Sequence, residues 1–145
     1  MLKKILIVSA VGLVAAFSTV KAEGIGDDRS AVMKAIGGAT AQLAGIAKGE
    51  KPYDAAVVKS SLETISAKIK TFPPLFPAGK VEEDGHANPA IWENLDDFKA
   101  HADKLGATAD SLVAQLPADQ AAVGAALGQI GAICGDCHQK YRLKK

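Results

Sequence analysis

From Ile91 to Leu116 the apolar residues fall at Ile91, Leu95, Phe98, Ala102, Leu105, Ala109, Leu112 and Leu116, in steps of four, three, four, three, four, three and four. An α-helix turns once every 3.6 residues, so these positions form a single stripe along one side. In a strand, where side chains alternate every two residues, they would scatter over both faces. A stripe that long and narrow has to be covered by other helices.

The rest of the chain offers three more segments of the same kind. From Gly26 to Lys48 the stripe runs through Arg29, Met33, Ile36, Thr40, Leu43 and Ala47, with Ile46 beside it. Gly37-Gly38 interrupts that segment at a cost of about 1 kcal/mol per glycine relative to alanine, which predicts a close approach at this point. From Asp54 to Thr71 the stripe is Val58, Leu62, Ile65, Ile69 and Phe72. Asp54 suits the N-cap, and Pro73-Pro74 forces the helix to end before them. The last segment begins after Pro117 and carries Val123, Leu127, Ile130, Cys134, Cys137 and Tyr141. The segment through Ile91 opens at Asn88-Pro89, a cap followed by a proline at the first helical position. No stretch alternates β-branched residues with period two, and no internal repeat is evident. The expected fold is all-α: an antiparallel, up-down four-helix bundle with short first and third connections. Its second connection, Phe72 to Asn88, is long and holds three of the six prolines. Leu75 and Phe76 are expected to pin it to the core.

The chain starts with two lysines, an apolar run of about 13 residues from Ile5 to Phe17, and small residues at Val20 and Ala22. A transmembrane helix needs roughly 20 apolar residues, so this reads as a secretory signal peptide over residues 1–22 rather than an anchor. Residues 23–145 then form one domain, with a periplasmic destination and no membrane attachment after cleavage. Without Lys3, Lys4 and Lys21 the remaining chain has 14 basic against 16 acidic residues, a formal charge of −2. That balance gives no reason to expect nucleic acid as a partner. The terminal "KYRLKK" reads as a solvated helix end.

Export into an oxidising compartment favours a disulfide wherever two thiols can meet. The spacing of the only two cysteines argues for something else. In "GAICGDCH", Cys134, Cys137 and His138 occupy i, i+3 and i+4 of the last helical segment, all towards the same side. Two thiols one turn apart can each add to a vinyl group of a porphyrin while the adjacent imidazole sits under the iron, which is the c-type haem attachment pattern. A thioredoxin-like pair would lie at a helix start beside a strand. A zinc site needs a fourth ligand, whereas His86 lies in a loop and His101 on a helix position read as polar. A plain disulfide leaves His138 unexplained. The pattern therefore predicts covalent haem c, one per chain, with His138 as proximal iron ligand.

These residues resemble a known family. The segments "DDRSAVMKAIGG", "GEKPYDAA", "LFPAG", "PAIW" and "CGDCHQKYR", in this order, resemble the class II cytochromes c, which comprise high-spin cytochrome c prime and its low-spin relatives of the cytochrome c-556 type. The resemblance spans residues 23–145. It implies thioether bonds from Cys134 and Cys137, His138 as fifth ligand, Arg29 and Arg142 near the haem, and Met33 over its distal face. In low-spin members a first-helix methionine ligates iron; in cytochrome c prime the distal residue does not.

"MKAIGG" and "IAKGEKPYD" resemble the low-spin type in wording and spacing, so Met33 is expected as the second metal ligand beside His138, an arrangement that raises reduction potential; the other reading of a methionine on an apolar stripe is core packing. Arg29, on the same stripe one turn before Met33, is read either as the partner of a haem propionate or as a helix N-terminal residue exposed to water. The implied role is an electron carrier docking transiently to redox partner proteins, which makes and breaks no substrate bonds and is not an enzyme. The alternative is a five-coordinate centre that binds nitric oxide or another small diatomic. A disulfide-stapled helical binding module is the reading outside haem chemistry. Many relatives are dimers, and the surface pattern here leaves homodimer and monomer equally open.

Overall fold

The computed structural model describes residues 24–79 and 85–144. The signal peptide assigned to residues 1–22 lies outside them. The helices are α1 (Ile25–Ala47), α2 (Ala55–Lys70), α3 (Ala90–Glu93), α4 (Leu95–Ala114) and α5 (Gln120–Tyr141), with a 3-10 turn at Pro73–Leu75. Among the described residues none of them is long and apolar enough to cross a membrane.

The four long helices close a ring: α1 packs on α2, α2 on α4, α4 on α5 and α5 on α1. Their stripes meet inside. Leu43, Ile46, Val58, Leu62, Ile65, Ala109, Val123 and Ile130 are all almost fully buried in one core. Burying a side chain of this size contributes roughly 1.5–3 kcal/mol, so the stripes set both the fold and most of its stability.

The ends follow local chemistry. Asp54 accepts hydrogen bonds from the amides of Ala56 (2.8 Å) and Val57 (3.2 Å), the N-cap expected of it. Gly49, at φ 74°, turns the chain out of α1 in the left-handed region that glycine tolerates, while the Lys48 amide donates back to Ala44. Asp54→Ala leaves two first-turn amides without their partner in an exposed position. It is expected to lower unfolding free energy by about 1 kcal/mol, measured as a shifted urea midpoint at unchanged slope.

The third segment departs from the single helix expected. It breaks at Asn94, whose φ −136° and ψ 46° lie outside helical geometry. The Asn94 amide and its Nδ2 both donate to the Ala90 carbonyl, closing α3, and its own carbonyl accepts from Phe98 to start α4. Asparagine competes in this way for backbone groups that a continuous helix would use. The break separates Ile91 and Trp92 from the bundle core and sends them to a second, aromatic cluster with Phe76, Phe98 and Tyr141.

That cluster pins the long connection. Phe76 is buried and stacks edge-on with Phe72 (5.0 Å) and Phe98 (4.8 Å), and half-buried Leu75 packs against the same cluster. Trp92 Nε1 donates to the Pro77 carbonyl at 3.1 Å. The returning limb is clipped to the end of α5: the Asn88 amide donates to Tyr141 O (3.0 Å), and the Leu143 amide donates to His86 O (2.8 Å). Residues 72–79 and 85–88 of the connection thus pack with the last turn of α5.

Candidate functional site

At this end the bundle does not close. A cavity of about 530 Å³ opens between the helices, lined by Gly26 to Thr40 of α1, Ile69 at the end of α2, Phe98 to Leu105 of α4 and Ile133 to Tyr141 of α5. The first halves of α1 and α4 thus stand beside the last halves of α2 and α5, so neighbouring helices run antiparallel. The volume falls in the range of small-molecule and cofactor pockets.

Its walls are mainly apolar: Ile36, Phe72, Phe76, Ile91, Phe98 and Ile133 all contribute. Chemistry enters from two sides. From α5 come Cys134 and Cys137, half-buried free thiols, and His138, exposed at the rim. From α1 comes Met33, half-buried on the stripe that also faces the core. The six residues singled out from the sequence, Arg29, Met33, Cys134, Cys137, His138 and Arg142, all line this one cavity.

Burial governs the titration of the α5 groups. It raises the Cys134 thiol, and raises Cys137 to about 11, with the neighbouring Cys134 and the Asp97 carboxylate adding to the effect. Both are protonated at neutral pH, the opposite of an activated redox pair. Partial desolvation at the rim and then the nearby Arg142 guanidinium lower the His138 pKa, which keeps its imidazole neutral and able to donate a lone pair to a metal. Among the described residues no three His, Cys, Asp or Glu side chains gather to hold a metal ion by themselves. Two thiols, a neutral imidazole and a thioether around an apolar space fit a flat apolar group that brings its own metal.

Arg29 is only 4% exposed. Its Nε and Nη2 donate to the Leu75 carbonyl at 3.1 and 2.7 Å, and its guanidinium lies 4.0 Å from the Phe76 ring centroid. The arginine therefore ties α1 to the long connection as well as forming the cavity wall. Arg142 caps α5, its amide donating to His138 O at 3.1 Å, and its backbone bridges to Ala87.

Three further residues line the cavity. Gly37 lines the cavity, and a Cβ at Gly37 or Gly38 would meet nothing within 4 Å, so no other helix crowds α1 at this point. His101 is not on a polar face: it is half-buried and lines the cavity, its ring edge-on to Tyr141. Lys34 also reaches the lining. The spacing Phe98–His101, three residues along α4, places the histidine on the flank of the buried stripe and is the signal that marks it.

The family model described as Cytochrome C' matches residues 25–142. Cytochrome c-556 of Agrobacterium fabrum is 56% identical over 126 residues, covering 87% of this chain and 86% of its own. Among solved structures, cytochrome c' from Rhodopseudomonas palustris superposes with a TM-score of 0.76 at 37% identity, over 83% of this chain and 97% of that one. The structure of oxidised cytochrome c556 from the same organism gives 0.74 at 30% identity, over 83% and 97%.

Proposed function

The chain belongs to the cytochrome c' family, and from that premise we propose that it is a periplasmic electron carrier with one covalently bound haem c, tethered through Cys134 and Cys137 and ligated by His138 and Met33. When bound, the haem supplies a one-electron ferric/ferrous couple. The observation that carries the reading is the shared cavity: both thiols and the imidazole on α5 and the thioether on α1 line it together.

The chain's own residues hold, orient and shield. Cys134 and Cys137, one helical turn apart, tether at two points and so fix orientation as well as position. His138, next in the chain to Cys137, presents a neutral nitrogen, the form a metal ligand needs. Met33 would serve from the neighbouring helix α1, held by packing of the α1 stripe against the core. Phe72, Phe76, Phe98 and Ile133 give the space apolar walls, and a lower local dielectric moves the potential. The exposed rim at His138 and Arg142 leaves an edge at which a redox protein can dock transiently. The leader pattern of residues 1–22 supports the periplasmic destination.

The second reading, a five-coordinate centre open to a small diatomic, draws on the likeness to the cytochrome c' structure, whose TM-score of 0.76 at 37% identity stands beside 0.74 at 30% for cytochrome c556. The absorption spectrum of the purified protein separates the two. The proposal expects a low-spin pattern with a sulfur-to-iron charge-transfer band in the oxidised form. A high-spin pattern contradicts methionine ligation, and no Soret band at all contradicts the haem reading.

A further inference from the structure

Asp97, in the first turn of α4, does not line the cavity, yet it is tied to residues that do. Its Oδ2 accepts from the Tyr141 hydroxyl at 2.5 Å and from Lys140 Nζ at 3.1 Å, and His101 Nε2 stands 3.5 Å away. Tyr141 and His101 both line the cavity, their ring centroids 5.9 Å apart. Tyr141 is buried and follows His138 by three residues on α5. One carboxylate oxygen thus anchors the turn that carries Cys137 and His138 to the neighbouring helix.

Its charge sits beside the same turn: the Lys140 Nζ and Tyr141 hydroxyl that it holds belong to residues two and three positions after His138. Hydrogen bonds from Tyr141 and then Lys140 hold the Asp97 carboxyl below the usual carboxylate range, so it is ionised at neutral pH.

We propose that Asp97 is a positioning residue for the cofactor that also sets its charge balance: it locks the last turn of α5 and places a fixed negative charge beside the Cys137–His138 turn. The proposal rests on the haem reading above. Reduction adds one electron and removes one unit of positive charge from the iron, so a nearby carboxylate favours the oxidised form. No proton or bond changes hands in this effect.

The test is an electrochemical titration of the haem-loaded protein beside its Asp97→Asn and Tyr141→Phe variants, with thermal unfolding of each. Asp97→Asn is expected to move the reduction equilibrium threefold to tenfold towards the ferrous state, about 30–60 mV at 59 mV per tenfold, and to lower Tm. Tyr141→Phe is expected to lower Tm as well, but to leave the potential at or below that of the parent, because the charge stays and loses a donor. A purely structural role would change Tm in both and separate neither potential. The proposal is overturned if Asp97→Asn keeps the parent potential, or if Tyr141→Phe raises it equally. Should Asp97→Asn not accumulate, Lys140→Gln at an exposed position reads the same field. There the equilibrium is expected to shift at least twofold towards ferric, and no shift or the opposite one overturns the idea. A parent protein lacking covalent haem absorption would sink the functional reading itself, before any variant is compared.

Discussion

Serine at both Cys134 and Cys137 is expected to abolish covalently held haem, so that the denatured protein carries none, against one per chain in the parent. The argument is chemical: a thiol adds to a porphyrin vinyl group to form a stable thioether, and a serine hydroxyl of nearly the same size forms no such bond. The two sulfurs lie one turn apart on α5 and line the same cavity, so removing one leaves a single tether and removing both leaves only reversible contacts. The fold is then stabilised by mass action alone. A ligand present at a thousandfold its Kd contributes about 4 kcal/mol, a gain that disappears on dilution, whereas a tethered group cannot dilute away. Unfolding of the double variant should therefore depend on added haem, and that of the parent should not. Haem retained through denaturation in the double variant contradicts the assignment.

Met33→Ala is the second large effect. With the thioether gone, a six-coordinate low-spin centre is expected to become five-coordinate and high-spin, to lose its charge-transfer band and to bind carbon monoxide when reduced. Met33 is half-buried against the bundle core, so truncation should also cost about 1–2 kcal/mol of stability. The two effects are separable. Met33→Leu retains most of the apolar volume, so it should lose the ligand-field signature while keeping most of the stability. If the spectrum of Met33→Ala is that of the parent, Met33 is a packing residue and the open-face reading takes its place.

Much of this was legible before any coordinates, and the reasons lie in particular residues. The bundle reads from Leu43, Leu62, Leu105 and Ile130 because helical periodicity survives wherever one face is buried. Asp54 reads as a cap because its side chain works on amides two and three residues away. The break at Asn94 did not read. The apolar spacing continues across it from Ile91 to Leu95, although α3 belongs to the aromatic cluster and not to the bundle core. Periodicity records burial, and it cannot say which partner does the burying.

The site divides in the same way. Cys134, Cys137 and His138 are close in sequence and their spacing carries the chemistry. Arg29 was legible as an odd charge on an apolar stripe, yet its bond to the Leu75 carbonyl spans 46 residues of chain and depends on how the long connection folds back. His101 reads as a polar helix position, since a polar side chain on the flank of a stripe looks the same whether it meets water or a cavity. Asp97 gave no signal at all: its partners Lys140 and Tyr141 lie 43 and 44 residues further on.

The central claim is that α5 is a haem anchor. Mass spectrometry of the peptide containing Cys134 and Cys137, prepared from the denatured protein after treatment with an alkylating reagent, tests it most directly. The predicted result is a peptide heavier by one haem, with neither cysteine alkylated. A haem-free peptide alkylated at both positions, or one cross-linked by a Cys134–Cys137 disulfide, would contradict it.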